Sequence, residues 1–201
     1  MRFKVLACLL LVSTVGFSQQ DSVRSLLKLD AAALLDSKFA LSFEQRFNRN
    51  LSAQITAGTY LNYFNYKGTV NGVDTLARDT RTGFFVIPEF RHYLSNFTGG
   101  RPPTDGYISI FALVSNSDTR KIDFENHWRR ENQEYGLGIS CGMQWLIFKN
   151  LGLDLDFGVY TFYEFGTFTG QRFNGVEGFF SNESIQRLYS SRFSARLVYG
   201  F

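Results

Sequence analysis

Beyond residue 18 the chain has a single cysteine, Cys141, and in all 201 residues there are two histidines, three prolines and no apolar run approaching 20 residues. One thiol rules out an intramolecular disulfide framework, and two distant histidines with one thiol do not make a Cys/His metal site. A membrane-crossing helix needs about 20 apolar residues, so no helical span is available. The formal charge is +3, of which Arg2 and Lys4 supply two. A balance this close to neutral excludes the basic footprint of a nucleic-acid binder. No Gly-rich loop sits between a strand and a helix to cradle phosphates, so the pattern implies no nucleotide and no other cofactor.

Aromatic residues, by contrast, make up 17% of the chain, with 22 Phe and 10 Tyr. Mean hydropathy is nevertheless −0.13, because polar residues are interleaved with the apolar ones. The exception is the start, where Arg2 and Lys4 precede the apolar stretch Val5 to Phe17, with Gly16 and Ser18 as small residues before a cut. This reads as a secretory signal peptide over residues 1–18, leaving one domain over 19–201. Cys8 precedes most of the apolar stretch, which is the wrong order for a lipid-anchored cysteine.

The interleaving has period two. Tyr135, Leu137, Ile139, Cys141, Met143, Trp145 and Ile147 alternate with Gly136, Gly138, Ser140, Gly142 and Gln144. After the turn Lys149-Asn150, Leu151, Leu153, Leu155, Phe157 and Val159 alternate with Gly152, Asp154, Asp156 and Gly158. Each is a strand with one apolar face, and together they form a hairpin. Similar strands run over Leu27–Leu35, Lys38–Phe47, Leu51–Asn62, Gly83–Leu94, Gly106–Val114 and Leu188–Phe201. Pro88 cannot donate to a ladder and predicts a bulge or local irregularity, whereas Gly106–Val114 is apolar on both faces and leaves its parity open.

Eight strands of this kind predict an all-β fold, an eight-stranded antiparallel up-and-down transmembrane barrel. Asn48 to Asn50 and Lys149-Asn150 are tight turns, while about 65–80, 115–131 and 165–185 read as long polar loops. Short turns at one end and long loops at the other fit periplasmic and extracellular ends. Asp36-Ser37 is short for an outer loop, and Ser95 to Asp105 is long for a periplasmic turn.

The polar face holds too many small residues and opposed charges to face water, and it suits a narrow lumen. An eight-stranded barrel encloses just enough space to be filled by side chains. Glu44, Arg46, Glu89, Arg91, Asp154, Asp156, Arg192 and Arg196, together with Lys28, Asp30 and Lys38, then form an interior charge network, a plug and not a channel. Outward-facing apolar residues place the barrel in a bilayer, since in hydrocarbon only closed strands satisfy every backbone group.

Leu197, Tyr199 and Phe201 on one face of the last strand resemble the C-terminal signature of outer-membrane barrels. That resemblance implies insertion by the barrel assembly machinery. Residues 19–201 resemble the small OmpA/OmpX-type barrels. More narrowly, Leu41-Ser42-Phe43-Glu44-Gln45-Arg46-Phe47 and Pro88-Glu89-Phe90-Arg91-His92-Tyr93-Leu94 resemble a domain-of-unknown-function family of such barrels, with a strand-borne Glu-x-Arg. The resemblance implies a bacterial outer-membrane location among lipid and lipopolysaccharide. It implies no activity, and the extracellular partner stays unknown.

Catalytic residues do not emerge. His92 falls on the lipid-facing parity of the fourth strand and His127 in a charged segment beside Trp128-Arg129-Arg130. Neither has the neighbouring nucleophile and carboxylate that a hydrolase requires. Asp154 and Asp156 share a face, but arginines are their simpler partners. The expectation is a non-enzymatic barrel with a structural or surface-interaction role through its outer loops, where Phe124, Trp128, Phe173, Phe179 and Phe180 offer aromatic contacts. The competing readings are a lipid A- or phospholipid-modifying barrel enzyme and a soluble periplasmic ligand-binding barrel.

Overall fold

The computed structural model describes residues 25–48, 50–70, 73–94, 106–122, 126–147, 150–172 and 179–201, with side chains described there except in 64–77, 122–127 and 171–182. Eight strands, β1 (Ser25–Asp30), β2 (Lys38–Arg46), β3 (Leu51–Val70), β4 (Val73–Tyr93), β5 (Gly106–Ile122), β6 (Asn126–Leu146), β7 (Leu151–Arg172) and β8 (Phe179–Gly200), follow one another around a ring. Every neighbour pair is antiparallel and β1 closes on β8, with Leu26 opposite Gly200 and Asp30 opposite Arg196. Closure is what eight amphipathic strands of this kind require, since it leaves no edge along the paired lengths.

The period-two pattern decides which way each residue faces. On β6 Leu137 is 68% exposed, whereas its alternates Ser140 and Gln144 are buried. On β7 Leu153, Leu155, Phe157 and Val159 are exposed while Asp154 and Asp156 are buried. The wall is therefore inverted relative to a water-soluble barrel, apolar outside and polar within. β5 resolves its parity: Tyr107, Ser109, Phe111 and Leu113 point inward, and Ile108, Ile110 and Val114 outward.

Three expectations are corrected, and a fourth is narrowed. First, Ala31–Leu35 is a short helix, α1, and not the continuation of a strand. The Asp30 carboxylate accepts from the Ala33 N–H at 3.1 Å, capping a run of strong helix formers, Ala-Ala-Ala-Leu-Leu. The connection from β1 to β2 is thus α1 together with Asp36-Ser37, longer than the expected two residues. Second, the segments 65–80, 115–131 and 165–185 are largely strand. The β3–β4 hairpin pairs as far as Val70 with Val73, and β5–β6 as far as Ile122 with His127. Both faces of these tips carry polar residues, so the apolar alternation that reveals a strand disappears while the ladder continues. Third, β8 begins at Phe179, well before Leu188, for the same reason. Fourth, the bulge or local irregularity expected at Pro88 is the irregularity alone, an interrupted ladder with no added residue. β4 pairs with β5 through Val86↔Val114 and again from Glu89↔Phe111 in unchanged register, with Ile87 and Pro88 skipped, and Pro88 stays opposite Ile55 of β3. A missing N–H interrupts one ladder without adding a residue.

At the turn end, Asn48 Oδ1 accepts from the N–H groups of Asn50 and Leu51, both at 2.9 Å, and closes β2 onto β3. Ile147 N–H donates to the Leu151 carbonyl at 2.9 Å and closes β6 onto β7. The expected long connection Ser95 to Asp105 lies outside the described residues.

Candidate functional site

The lumen is filled in layers. Nearest the tight turns, inward side chains of β1, β4, β5 and β8 converge on Asp154 of β7. Its Oδ2 accepts from Lys28 Nζ at 2.6 Å, Arg91 Nη1 at 2.8 Å and Arg196 Nη1 at 3.2 Å, and its Oδ1 from the Tyr107 hydroxyl at 2.7 Å. Asp156 takes Arg196 Nη2 at 3.1 Å and also Arg192. Glu89 receives Arg91 Nε at 2.7 Å and Arg192 Nη2 at 2.8 Å. Glu44 is paired with Lys28 at 2.5 Å and takes the Tyr93 hydroxyl at 2.6 Å. Lys28 also donates to Gln144 Oε1 at 2.7 Å. Arg46 lies over the Tyr93 ring, 4.8 Å from its centroid. Opposed charges stand within reach of several partners each, which is how a buried carboxylate or guanidinium is tolerated.

The structure thus brings together Glu44, Arg46, Glu89, Arg91, Asp154, Asp156, Arg192 and Arg196, with Lys28 and with Asp30, 3.7 Å from Arg196 Nε. Lys38 is set apart at the far end of β2. It pairs with Asp36 at 3.2 Å and lies 5.7 Å from the Tyr60 ring. Tyr93 and Tyr107 are members the sequence reading missed. Each is an inward-parity tyrosine whose hydroxyl needs a partner when buried, and that was the available signal.

Above the charge layer sits an apolar septum of Ala40, Tyr60, Phe85, Ile87, Phe111 and Leu113, with Tyr160 and Ala33 packed on it. Its rings rest on glycines. A Cβ at Gly138 would collide with the Phe111 ring, and one at Gly58 with the Phe85 ring. The close approach of these rings, together with the Phe39 carbonyl at Gly58 and the Val159 carbonyl and Tyr160 Cβ at Gly138, requires glycine at the two positions. Higher still, Ser115 donates to Glu134 at 2.7 Å, Arg130 pairs with Glu164, and Arg81 lies 4.3 Å from the Tyr60 ring centroid.

Outside the barrel, Phe47 and Phe90 stack with centroids 6.3 Å apart, and Tyr199 and Phe201 at 6.4 Å, near the turn end. Tyr63, Tyr135, Tyr163 and Tyr189 are exposed toward the other end. Leu197, Tyr199 and Phe201 share this outer face, as their parity predicts. Beyond the tyrosines, Asp118 receives Arg120 Nη2 and Arg129 Nη2, both at 2.9 Å. Partial burial pushes the Asp118 carboxyl up, but hydrogen bonds from Arg129 and Arg120 outweigh it and hold the group below its usual range.

His92 is exposed on the outer wall and makes no side-chain hydrogen bond among the described residues. The side chains of His127, Phe124, Phe173, Phe179 and Phe180 lie outside those described. Trp128 packs on Phe168 with ring centroids 5.6 Å apart. Cys141 is exposed. Among the described residues no three His, Cys, Asp or Glu side chains are grouped to hold a metal ion.

Comparison with known proteins adds one match: a family model described as a protein of unknown function, DUF3575, covers residues 4–199. No curated protein matches the chain.

Proposed function

We propose that this chain, which belongs to the DUF3575 family, is an outer-membrane β-barrel of a diderm bacterium with a filled lumen, serving a structural or surface-contact role through its long hairpins. The observation that carries the reading is the inverted wall: Ile110, Leu137, Ile139, Phe157 and Phe193 are exposed around the outside while Lys28, Glu44, Arg91, Asp154 and Arg196 are almost wholly buried. In water that arrangement exposes a large apolar surface and buries charge, both at a cost; in a bilayer the same surface is solvated by lipid.

The dimensions agree. Tyr135 to Trp145 on β6 spans about 34 Å along the strand, and a typical barrel tilt reduces this to roughly 26 Å, close to the apolar height of outer-membrane barrels. Tyrosines at one rim and Phe47, Trp145, Tyr199 and Phe201 at the other stand where interfacial aromatic girdles belong. The charge layer and septum close the lumen, so the barrel is not a pore. The polar hairpins beyond the tyrosine rim are what it offers to lipopolysaccharide headgroups and to molecules outside the cell.

Separation of inner and outer membranes, followed by alkaline extraction, tests the reading. We expect the chain in the outer-membrane fraction and resistant to extraction, with no discrete conductance in planar bilayers. Release of the folded protein without detergent would overturn the membrane reading and favour the soluble binding barrel.

A further inference from the structure

The apolar band has a depression on its outer surface. A groove of about 820 Å³ lies across β6, β7 and β8 between Leu137, Ile139, Val159, Thr161, Tyr189 and Ser191. It is open over most of its area, a shallow trough of the kind an acyl chain lies along and not an enclosed pocket. It arises because Thr161 and Ser191 are short and polar where their neighbours on the same face, Leu137, Tyr189 and Phe193, are large. Val159 faces Ser191 and Thr161 faces Tyr189 across the β7–β8 ladder, so the two short side chains lie on adjacent rungs of one face.

Arg187 stands at the upper lip of this groove. Its Nε donates to Thr161 Oγ1 at 3.3 Å, and its guanidinium carbon is 5.5 Å from the Tyr189 ring centroid. Among the described residues no carboxylate lies within ion-pair distance of it, whereas Arg120 and Arg129 on the same outer surface are bound by Asp118. Arg187 therefore presents an uncompensated fork of donors at the height of the tyrosine rim. Such a fork matches a phosphate bidentately.

The lip carries further donors. Ser25 and Phe201 exchange backbone hydrogen bonds, so odd-numbered β8 residues turn their N–H and C=O groups toward β1. β1 ends at Asp30, opposite Arg196, and α1 takes its place. Among the described residues, the N–H groups of Phe193, Ser191 and Tyr189 meet no strand on that side and none of them bonds α1. A backbone donor at the edge of hydrocarbon is costly without an acceptor.

We propose that this groove binds one phosphate-bearing lipid of the surrounding bilayer. An acyl chain lies between Leu137, Val159 and Tyr189, the phosphate sits on Arg187, and the lipid's carbonyl oxygens meet the open β8 edge. The site rests on the membrane reading given above and adds to it a defined lipid class and position.

Native mass spectrometry of the full chain tests it, with dioleoyl phosphatidylglycerol and dioleoylglycerol as probes, the second having the same acyl chains and ester carbonyls but no phosphate. One phosphatidylglycerol should remain bound at collision energies that strip dioleoylglycerol. Arg187→Gln, and Ser191→Trp, which fills the groove, should each lower that retention about tenfold. Arg129→Gln should not change it. Equal retention of the two lipids, or unchanged retention in both variants while they still migrate as folded barrels on unboiled gels, overturns the site and leaves the barrel reading standing. A chain that never enters a detergent micelle or bilayer overturns the barrel reading itself, and the site with it.

Discussion

The charge layer near the turns and the septum above it fill the same tube by different physics. In the charge layer, Asp154 alone meets Lys28, Arg91, Arg196 and Tyr107, so each member depends on the neutralising effect of the others. In the septum, Phe111 and Phe85 meet the bare backbones of Gly138 and Gly58, so the fit depends on shape alone. The difference teaches that the two layers should fail differently. Removing one charge strands several partners in a dry interior, while removing one ring leaves a cavity whose cost depends on how far its surroundings relax.

The largest effect is expected at the hub. Asp154→Ala should cost about 3–5 kcal/mol, read as a fall in the urea midpoint of the detergent-refolded barrel, because three cations lose a shared carboxylate. A loss below about 1 kcal/mol would mean that the layer is wetter and less interdependent than its geometry implies. Phe111→Ala should cost roughly 3 kcal/mol, and Gly138→Ala about 1–3 kcal/mol from overpacking against the ring. The sharper test is their combination: Phe111→Leu with Gly138→Ala should be less destabilising than the sum of the single changes, since the smaller side chain removes one of the three close contacts of the new methyl group, leaving those to Tyr160 Cβ and the Val159 carbonyl. Additivity would show that the ring and the glycine are not a fitted pair.

Arg46→Ala, at the margin of the charge layer over Tyr93, should cost about 1 kcal/mol in the same assay, well below Asp154→Ala. The smallest effect lies outside the lumen, at Asp118. Its carboxyl titrates lower in the folded chain, so its contribution is present above the unfolded pKa and is lost as pH falls through the folded one. Exposure of Arg120 and Arg129 keeps that contribution under about 1 kcal/mol. Amide protection factors at the β5–β6 tip, corrected for the intrinsic exchange rate at each pH, should therefore fall modestly on acidification in the wild type, and Asp118→Asn should remove that dependence. An unchanged acid response in Asp118→Asn would assign it to another group.

The sequence made the lumen's polar half readable and its apolar half much less so. Lys28, Glu44, Arg91 and Asp154 stand out because a charge on an alternating strand must face away from the apolar side. Phe85, Ile87, Phe111 and Leu113 are apolar on strands that are apolar on both faces, so alternation gave no contrast and the septum stayed hidden. The glycines opposite the rings were visible, but only register shows which ring each one admits. The same loss of contrast, now between two polar faces, concealed the strand extensions beyond the tyrosine rim. Ala31–Leu35 is apolar at all five positions, so the alternation of Leu27 to Asp30 had no contrast to mark its end, and the Asp30 cap and alanine propensity make the run a helix.

The central claim is that the apolar outer face meets lipid. Trp145 belongs to that face, on the same parity as Leu137 and Ile139, and Trp128 is the only other tryptophan. In the Trp128→Phe chain, reconstituted into vesicles, brominated phosphatidylcholine should quench Trp145 fluorescence strongly, and aqueous iodide should not. Quenching by iodide with none from the brominated lipid would place that face in water and contradict the account.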